Sequence, residues 1–188
     1  MIEVVNEKKK LREEYKSIRS KIKNKKEKSK EIFNKIIKTQ CFKESKIIAI
    51  YKSISSEVDT TELIKYSINI GKIVVLPKVE KNELKFYKIN PTIDEKFFKS
   101  NFGIEEPLGE KEKLIDNKFI DLVIVPGICF DLRKNRLGFG KGYYDRFLKE
   151  KEFKTIGICF DEQIVEKVPI DSNDMKVKEI ITDKRNIL

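Results

Sequence analysis

The chain has 188 residues, 39% of them hydrophobic and 38% charged, with a formal charge of +10, 3 cysteines and no histidine. Its apolar runs, such as "IIAIY" at 47–51, are too short to span a bilayer, and its charged N-terminus lacks the apolar core of a secretory signal, so the expectation is a cytoplasmic protein with no membrane partner. Without histidine, Ser–His and Cys–His nucleophile pairs, histidine bases and most transition-metal sites are excluded, and Cys41, Cys129 and Cys159, never at CxxC spacing, read as buried free thiols.

Leu11, Tyr15, Ile18 and Ile22 recur at spacings of 4, 3 and 4, which predicts a helix over 7–24 with one apolar stripe. A polar break over Asn24–Lys30 precedes a second helical segment carrying Phe33, Ile36 and Ile37. The charge excess sits here: residues 8–30 hold 12 Lys/Arg against 3 Glu, and the rest of the chain holds 29 against 28. A basic helix leaves a nucleic-acid-binding module as an alternative reading, although the apolar stripe then has nothing to dock on.

"KIIAIY" (46–51) reads as a buried strand. In "DTTELIKYSINIG", Asp59 is the expected N-cap with Glu62 three residues on, and Gly71 closes the helix. "KIVVLP" (72–77) is a strand ended by Pro77, and "LKFYKI" (84–89) is a strand with one wetter face. Pro91–Lys118 is less regular. "DLVIVPG" (121–127) is the clearest buried strand, followed by a polar loop, "ICFDLRKN", in which Asp131 is expected to bond the turn backbone; Asp121 is expected to act as a turn or cap residue. "GYYDRFLKE" (142–150) opens a helix, and "TIGICF" (155–160) and "EIITD" (179–183) are further strands. Strands alternating with helices predict an α/β fold: one three-layer α/β/α domain over 1–188, Rossmann-like, with a mostly parallel or mixed central sheet behind basic N-terminal helices.

"RLGFGKGYYDRFL" (136–148) places three of the chain's 8 glycines within five positions, between a strand and a helix. Ligands of doubly wound sheets sit beyond the carboxyl ends of strands. Gly138, Gly140 and Gly142 let backbone N–H groups approach an anion, and Arg136 and Lys141 add charge, so a phosphate is the expected guest. The stretch fits neither a Walker A loop nor GxGxxG directly after a strand. Asp145, at the start of the next helix, suits Mg²⁺; the alternative is a carboxylate interacting with the helix dipole.

These residues resemble the signature of the 5-formyltetrahydrofolate cyclo-ligase family. "KKKLREEY", "SEVDTTELI", "GKIVVLPKV", "FGIEEP" and "VPIDSNDMKVKEIIT" follow the family's order and spacing over nearly the whole chain. The resemblance implies ATP- and Mg²⁺-dependent conversion of 5-formyltetrahydrofolate to 5,10-methenyltetrahydrofolate, releasing ADP and phosphate. It implies nucleotide contacts from Arg136, Leu137, Gly138, Phe139, Gly140, Lys141, Gly142, Tyr143 and Tyr144, and from Lys8 and Arg12 on the first helix. It assigns folate contacts to Tyr51, Lys52, Glu57, Phe139 and Tyr143, and metal contacts to Asp145 and Asp174. Arg136, Lys141 and Asp145 are the expected catalytic groups. Phe139 stands where Tyr is commoner in the family, and Asn173 where many relatives carry His. Read without the resemblance, Lys8 and Arg12 are solvated charges, Glu57 is a loop acid and Asp174 a turn residue. The implied chemistry needs no histidine: phosphorylation of the formyl oxygen makes the carbon electrophilic, and N10 then closes the ring. Expected partners are the two small substrates, with no nucleic acid, and the expected state is a monomer. Another ATP-dependent ligase or phosphotransferase using the same cradle is the remaining alternative.

Overall fold

The computed structural model describes residues 2–89, 97–99 and 105–188. Helices α1 (Ile2–Lys21) and α2 (Lys25–Ile36) are interrupted only at 22–24, because Asn24 takes left-handed backbone (φ 55°), which a right-handed helix cannot continue. The break expected over Asn24–Lys30 is therefore a single short turn. A five-residue helix, α3 (Gln40–Glu44), too short to show a hydrophobic period, is capped by the Thr39 hydroxyl, which accepts the Phe42 N–H.

Strand β1 (Ile47–Ala49) and helix α4 (Thr61–Asn69) come next. The N-cap of α4 is Thr60, not Asp59. The Thr60 hydroxyl donates to the Tyr51 carbonyl at 2.7 Å, tying α4 to the end of β1, while Asp59 Oδ1 accepts the Thr61 N–H at 2.9 Å. Strand β2 (Ile73–Glu80) runs through Pro77 instead of ending there. The Val75 carbonyl accepts from Ile50, so Pro77, two residues on, turns its missing N–H to the same side, beyond the end of β1. Lys81 and Asn82, at φ 48° and 67°, form a two-residue hairpin turn into β3 (Glu83–Lys88).

Of the irregular stretch expected over Pro91–Lys118, 91–96 and 100–104 lie outside the described residues; the rest holds β4 (Phe97–Lys99), β5 (Glu105–Pro107) and β6 (Leu114–Ile115). The remaining elements are β7 (Leu122–Val125), β8 (Cys129–Asp131), β9 (Arg136–Leu137), α5 (Tyr143–Leu148), β10 (Lys154–Ile158), β11 (Ile164–Val165), β12 (Glu179–Ile181) and β13 (Asn186–Ile187). Among the described residues no helix is long and apolar enough to cross a membrane.

The main sheet is mixed, in the order β13-β12-β10-β7-β1-β2-β3-β6. Its five inner strands, β12 to β2, run parallel; β13 and β3 flank them antiparallel, and β6 pairs antiparallel with β3 at the edge. Alternation along each inner strand builds two cores. Ile48, Val74, Leu122, Ile124 and Ile156 pack under α2, α3 and α4, while Ala49, Val75, Val123 and Val125 face Phe130 and, from α5, Phe147 and Leu148. Gly157 leaves room on that second face: a Cβ there would meet Phe130 Cε1 at 2.6 Å.

The polar loop expected after β7 is instead a hairpin, β8–β9, within a small sheet ordered β11-β8-β9. Asp131 is fully buried within it and accepts the N–H groups of Arg133, Asn135 and Val168. Asp121 Oδ2 accepts from Lys46 and Ile47, anchoring the start of β1. Helix α1 packs Leu11 and Tyr15 on the small sheet. Strand order reverses between β1, whose helix leads to β2 on one side, and β7, which pairs on the other. A crevice therefore opens beyond the carboxyl ends of these two strands.

Candidate functional site

That crevice is a cleft of about 600 Å³, and every site residue expected from the sequence lines it: Lys8, Arg12, Tyr51, Lys52, Glu57, Arg136 through Asp145, and Asp174. Its floor is the end of β7 and the hairpin beyond it. Arg136 is 5% exposed and donates to Asp145 Oδ1 at 2.8 Å and to the Pro126 carbonyl at 3.4 Å, with its guanidinium 5.7 Å from the Tyr144 ring centroid. A buried guanidinium so engaged forms the floor of the cleft and holds Asp145. Lys141 is exposed at the lip.

The three glycines make room for arginines. A Cβ on Gly138 would stand 2.6 Å from Arg136 Nη1. Gly140 (φ 98°) bends the chain over Arg12, whose Nε donates to the Gly138 carbonyl at 2.8 Å. Arg146, behind Gly142, donates to the carbonyls of Lys141 and Asn82, which pins the turn to the β2–β3 hairpin. The turn is thus held from three sides by cations, with Phe139 at its tip 45% exposed.

Lys8 is not a free phosphate grip: its ammonium bonds Asp171 Oδ2 at 2.6 Å and Asp174 Oδ2 at 2.5 Å. Burial disfavours its charge, but these hydrogen bonds outweigh that and raise its pKa, while the bond from Lys8 lowers that of Asp171. The C-terminal segment does fold back over the glycine turn, since the Met175 N–H donates to Asp145 Oδ1 at 3.1 Å. Asp145 and Asp174 therefore share one cleft, each with a cationic partner. No three acidic, histidine or cysteine side chains are grouped so as to hold a metal among the described residues. Asn173 accepts from Lys149 at 3.0 Å.

On the opposite wall, Glu57 Oε2 accepts the Ile54 N–H at 3.0 Å, and its side chain is 8% exposed. Burial raises its pKa against the pull of that N–H and of Arg19. Tyr51, beside it at the end of β1, has its phenol pushed well up by burial. Pro77, Val79, Leu84 and Tyr143 make the apolar side of the cleft, so one end is cationic and the other flat and greasy with a carboxylate.

Three participants were missed in the sequence. Asp171, the second partner of Lys8, is an ordinary loop acid on paper. Glu106, 6% exposed and facing the cleft, has its pKa raised by burial. Arg19 had a readable signal: at about 100° per residue, positions 8, 12 and 19 fall within about 40° on a helix. All three cations turn inward, which removes them from the outward basic face a nucleic-acid module would need.

Residues 4–183 match the family model described as the 5-formyltetrahydrofolate cyclo-ligase family. A 5-formyltetrahydrofolate cyclo-ligase of Mus musculus is 35% identical over 159 residues, covering 78% of each chain. The solution structure of 5,10-methenyltetrahydrofolate synthetase from Aquifex aeolicus superimposes with a TM-score of 0.82 at 34% identity, covering 95% of this chain and 91% of that one. A 5,10-methenyltetrahydrofolate synthetase from Mycoplasma pneumoniae, at 24% identity and a TM-score of 0.74 over 94% of this chain and 98% of its own, shares the fold.

Proposed function

The chain belongs to the 5-formyltetrahydrofolate cyclo-ligase family, and on that premise we propose that its cleft holds ATP along the glycine turn and the reduced folate against Glu57 and the aromatic wall. The enzyme converts 5-formyltetrahydrofolate to 5,10-methenyltetrahydrofolate. The observation that carries the assignment of the cleft is its two-ended chemistry: Lys8, Arg12 and Lys141 around a glycine turn at one end, and a buried carboxylate among aromatic rings at the other.

The substrate's N5-formyl group is a poor electrophile, because the nitrogen lone pair is delocalised into the carbonyl. Its oxygen attacks the γ-phosphorus of ATP and ADP leaves. N10 then adds to the activated carbon, N10 loses its proton, and phosphate departs with the C–O bonding pair. The protein's part is alignment and charge neutralisation. Arg12 and Lys141 grip phosphate oxygens, and Lys8 exchanges its aspartate partners for them. Glu57 accepts two N–H bonds from the aminopyrimidine edge of the pterin, and Tyr143 and Phe139 stack on its rings.

Asp145 and Asp174 are hard oxygen donors in one cleft, and no set of three side chains among the described residues is grouped to cage a metal, which fits Mg²⁺, a cation that takes one or two carboxylates and fills its shell with water and phosphate. Bound there, it supplies neutralisation of the transferred phosphoryl charge. In this reading the working unit is a cytoplasmic monomer, with 1–188 a single catalytic domain.

Purified protein with 5-formyltetrahydrofolate, ATP and Mg²⁺ is expected to develop the near-ultraviolet band of the methenyl product, with omission of any one component abolishing it. Product formed without ATP, or none with all three, overturns the assignment of the cleft.

A further inference from the structure

Helix α1 carries a third inward cation that the reaction above does not use. Arg19 is 3% exposed, and its Nε and Nη1 have no hydrogen-bond partner among the described residues. Nη1 stands 3.6 Å from Glu57 Oε1, an ion pair slightly too long for a hydrogen bond, and the guanidinium carbon lies 5.3 Å from the centroid of the Phe139 ring. A buried guanidinium with idle N–H groups is destabilising unless it serves something. Here it lies between the carboxylate on one wall and the aromatic tip of the glycine turn on the other.

We propose that Arg19 is a positioning residue for the folate half of the cleft, holding Glu57 as an ionised, aligned acceptor and seating the Phe139 ring on its guanidinium face. The proposal rests on the reading that Glu57 and Phe139 meet the folate. Glu57 has two anchors, the Ile54 N–H on Oε2 and Arg19 on Oε1. The charged and titratable groups facing it are Arg19 from α1, Tyr51 at the end of β1 and Tyr144 from α5. The two phenols are neutral in the working range, so Arg19 is the charge that opposes the burial of this carboxylate. An aminopyrimidine edge needs the ionised acceptor, because a protonated carboxyl presents a donor to N–H groups that cannot accept it. The same guanidinium attracts the face of the Phe139 ring, which joins the folate wall to the nucleotide turn through one side chain.

The test compares the unaltered enzyme with Arg19→Gln and Arg19→Lys. Glu57 is titrated in ligand-free protein by ¹³C-carboxylate NMR, assigned by the signal lost in Glu57→Gln, and kcat/KM for the folate is followed between about pH 5 and 8. In Arg19→Gln the Glu57 midpoint rises by about one unit. The acid limb of folate kcat/KM moves up with it, a loss of about tenfold on that limb, while KM for ATP holds. An unmoved Glu57 midpoint, or folate and ATP KM rising together, overturns the proposal. If Arg19→Gln does not fold, Arg19→Lys decides: its charge keeps the Glu57 midpoint where the unaltered enzyme has it while loss of the planar face raises folate KM, and an unchanged folate KM removes the Phe139 half of the proposal. Should Glu57→Gln leave folate kinetics untouched, the folate reading of Glu57 fails on its own account. The ligand-free titration still decides whether Arg19 holds Glu57.

Discussion

Asp145 receives Arg136 and the Met175 N–H on one oxygen. In the proposed function, a carboxylate so held would keep Mg²⁺ in place against the transferred charge with little reorganisation. Asp145→Asn is expected to lower kcat by about 10²–10³, some 3–4 kcal/mol of transition-state stabilisation. Steady-state turnover titrated with Mg²⁺ checks this, and near-normal kcat removes Asp145 from the metal site. Asp161 shows the same logic in a structural role. It receives Thr182 and two nitrogens of Arg185, and its side chain is 9% exposed. The Arg185 bonds hold its pKa below the ordinary 3.8, so its stabilisation is full above that value and is lost as pH falls through the lower, folded value. Asp161→Asn is expected to cost about 1–3 kcal/mol near neutrality and to flatten the acid end of the melting-temperature profile. Equal acid sensitivity in both proteins would separate Asp161 from that transition.

At the scale of elements, α1 acts as a strap across the site: its inner face carries Lys8, Arg12 and Arg19 alongside Leu11 and Tyr15. Arg12→Ala removes the bond that shapes the Gly138–Gly140 bend and, in the proposed function, a phosphate grip. KM for ATP should rise while KM for folate is largely kept; superimposable ATP titrations of variant and unaltered enzyme would take α1 out of the nucleotide site. Strand β10 makes a different demand. Because Gly157 sits against the buried Phe130 ring, Gly157→Ala is expected to cost about 1–3 kcal/mol through overpacking. An unchanged melting temperature would mean the ring relaxes freely. Boundaries were the weakest part of the sequence reading, for local reasons. Pro77 looked terminal because its missing N–H was charged against a ladder that β1 is too short to provide, and Lys81–Asn82 lacks the glycine that usually announces such a turn.

At the scale of the whole molecule, the sequence by itself determined the class of the fold, the buried inner strands, and the position of a glycine turn between β9 and α5. Those properties follow from hydrophobic period and glycine content, which are local. It also limited the chemistry, since a chain without histidine must work through carboxylates, cations and backbone amides. The basic N-terminal segment was ambiguous on paper, because charge counted along a chain does not say which way a side chain points. Tertiary structure decided that: docking α1 on the small sheet turns Lys8 and Arg12 into the cleft and buries Arg19 behind it. It also brought Asp171 and Asp174 to Lys8 across more than 160 residues and set Arg19 between Glu57 and Phe139. Such pairs depend on where the sheet's order reverses and how its loops converge. No window of the sequence contains both partners, so only packing could place them together.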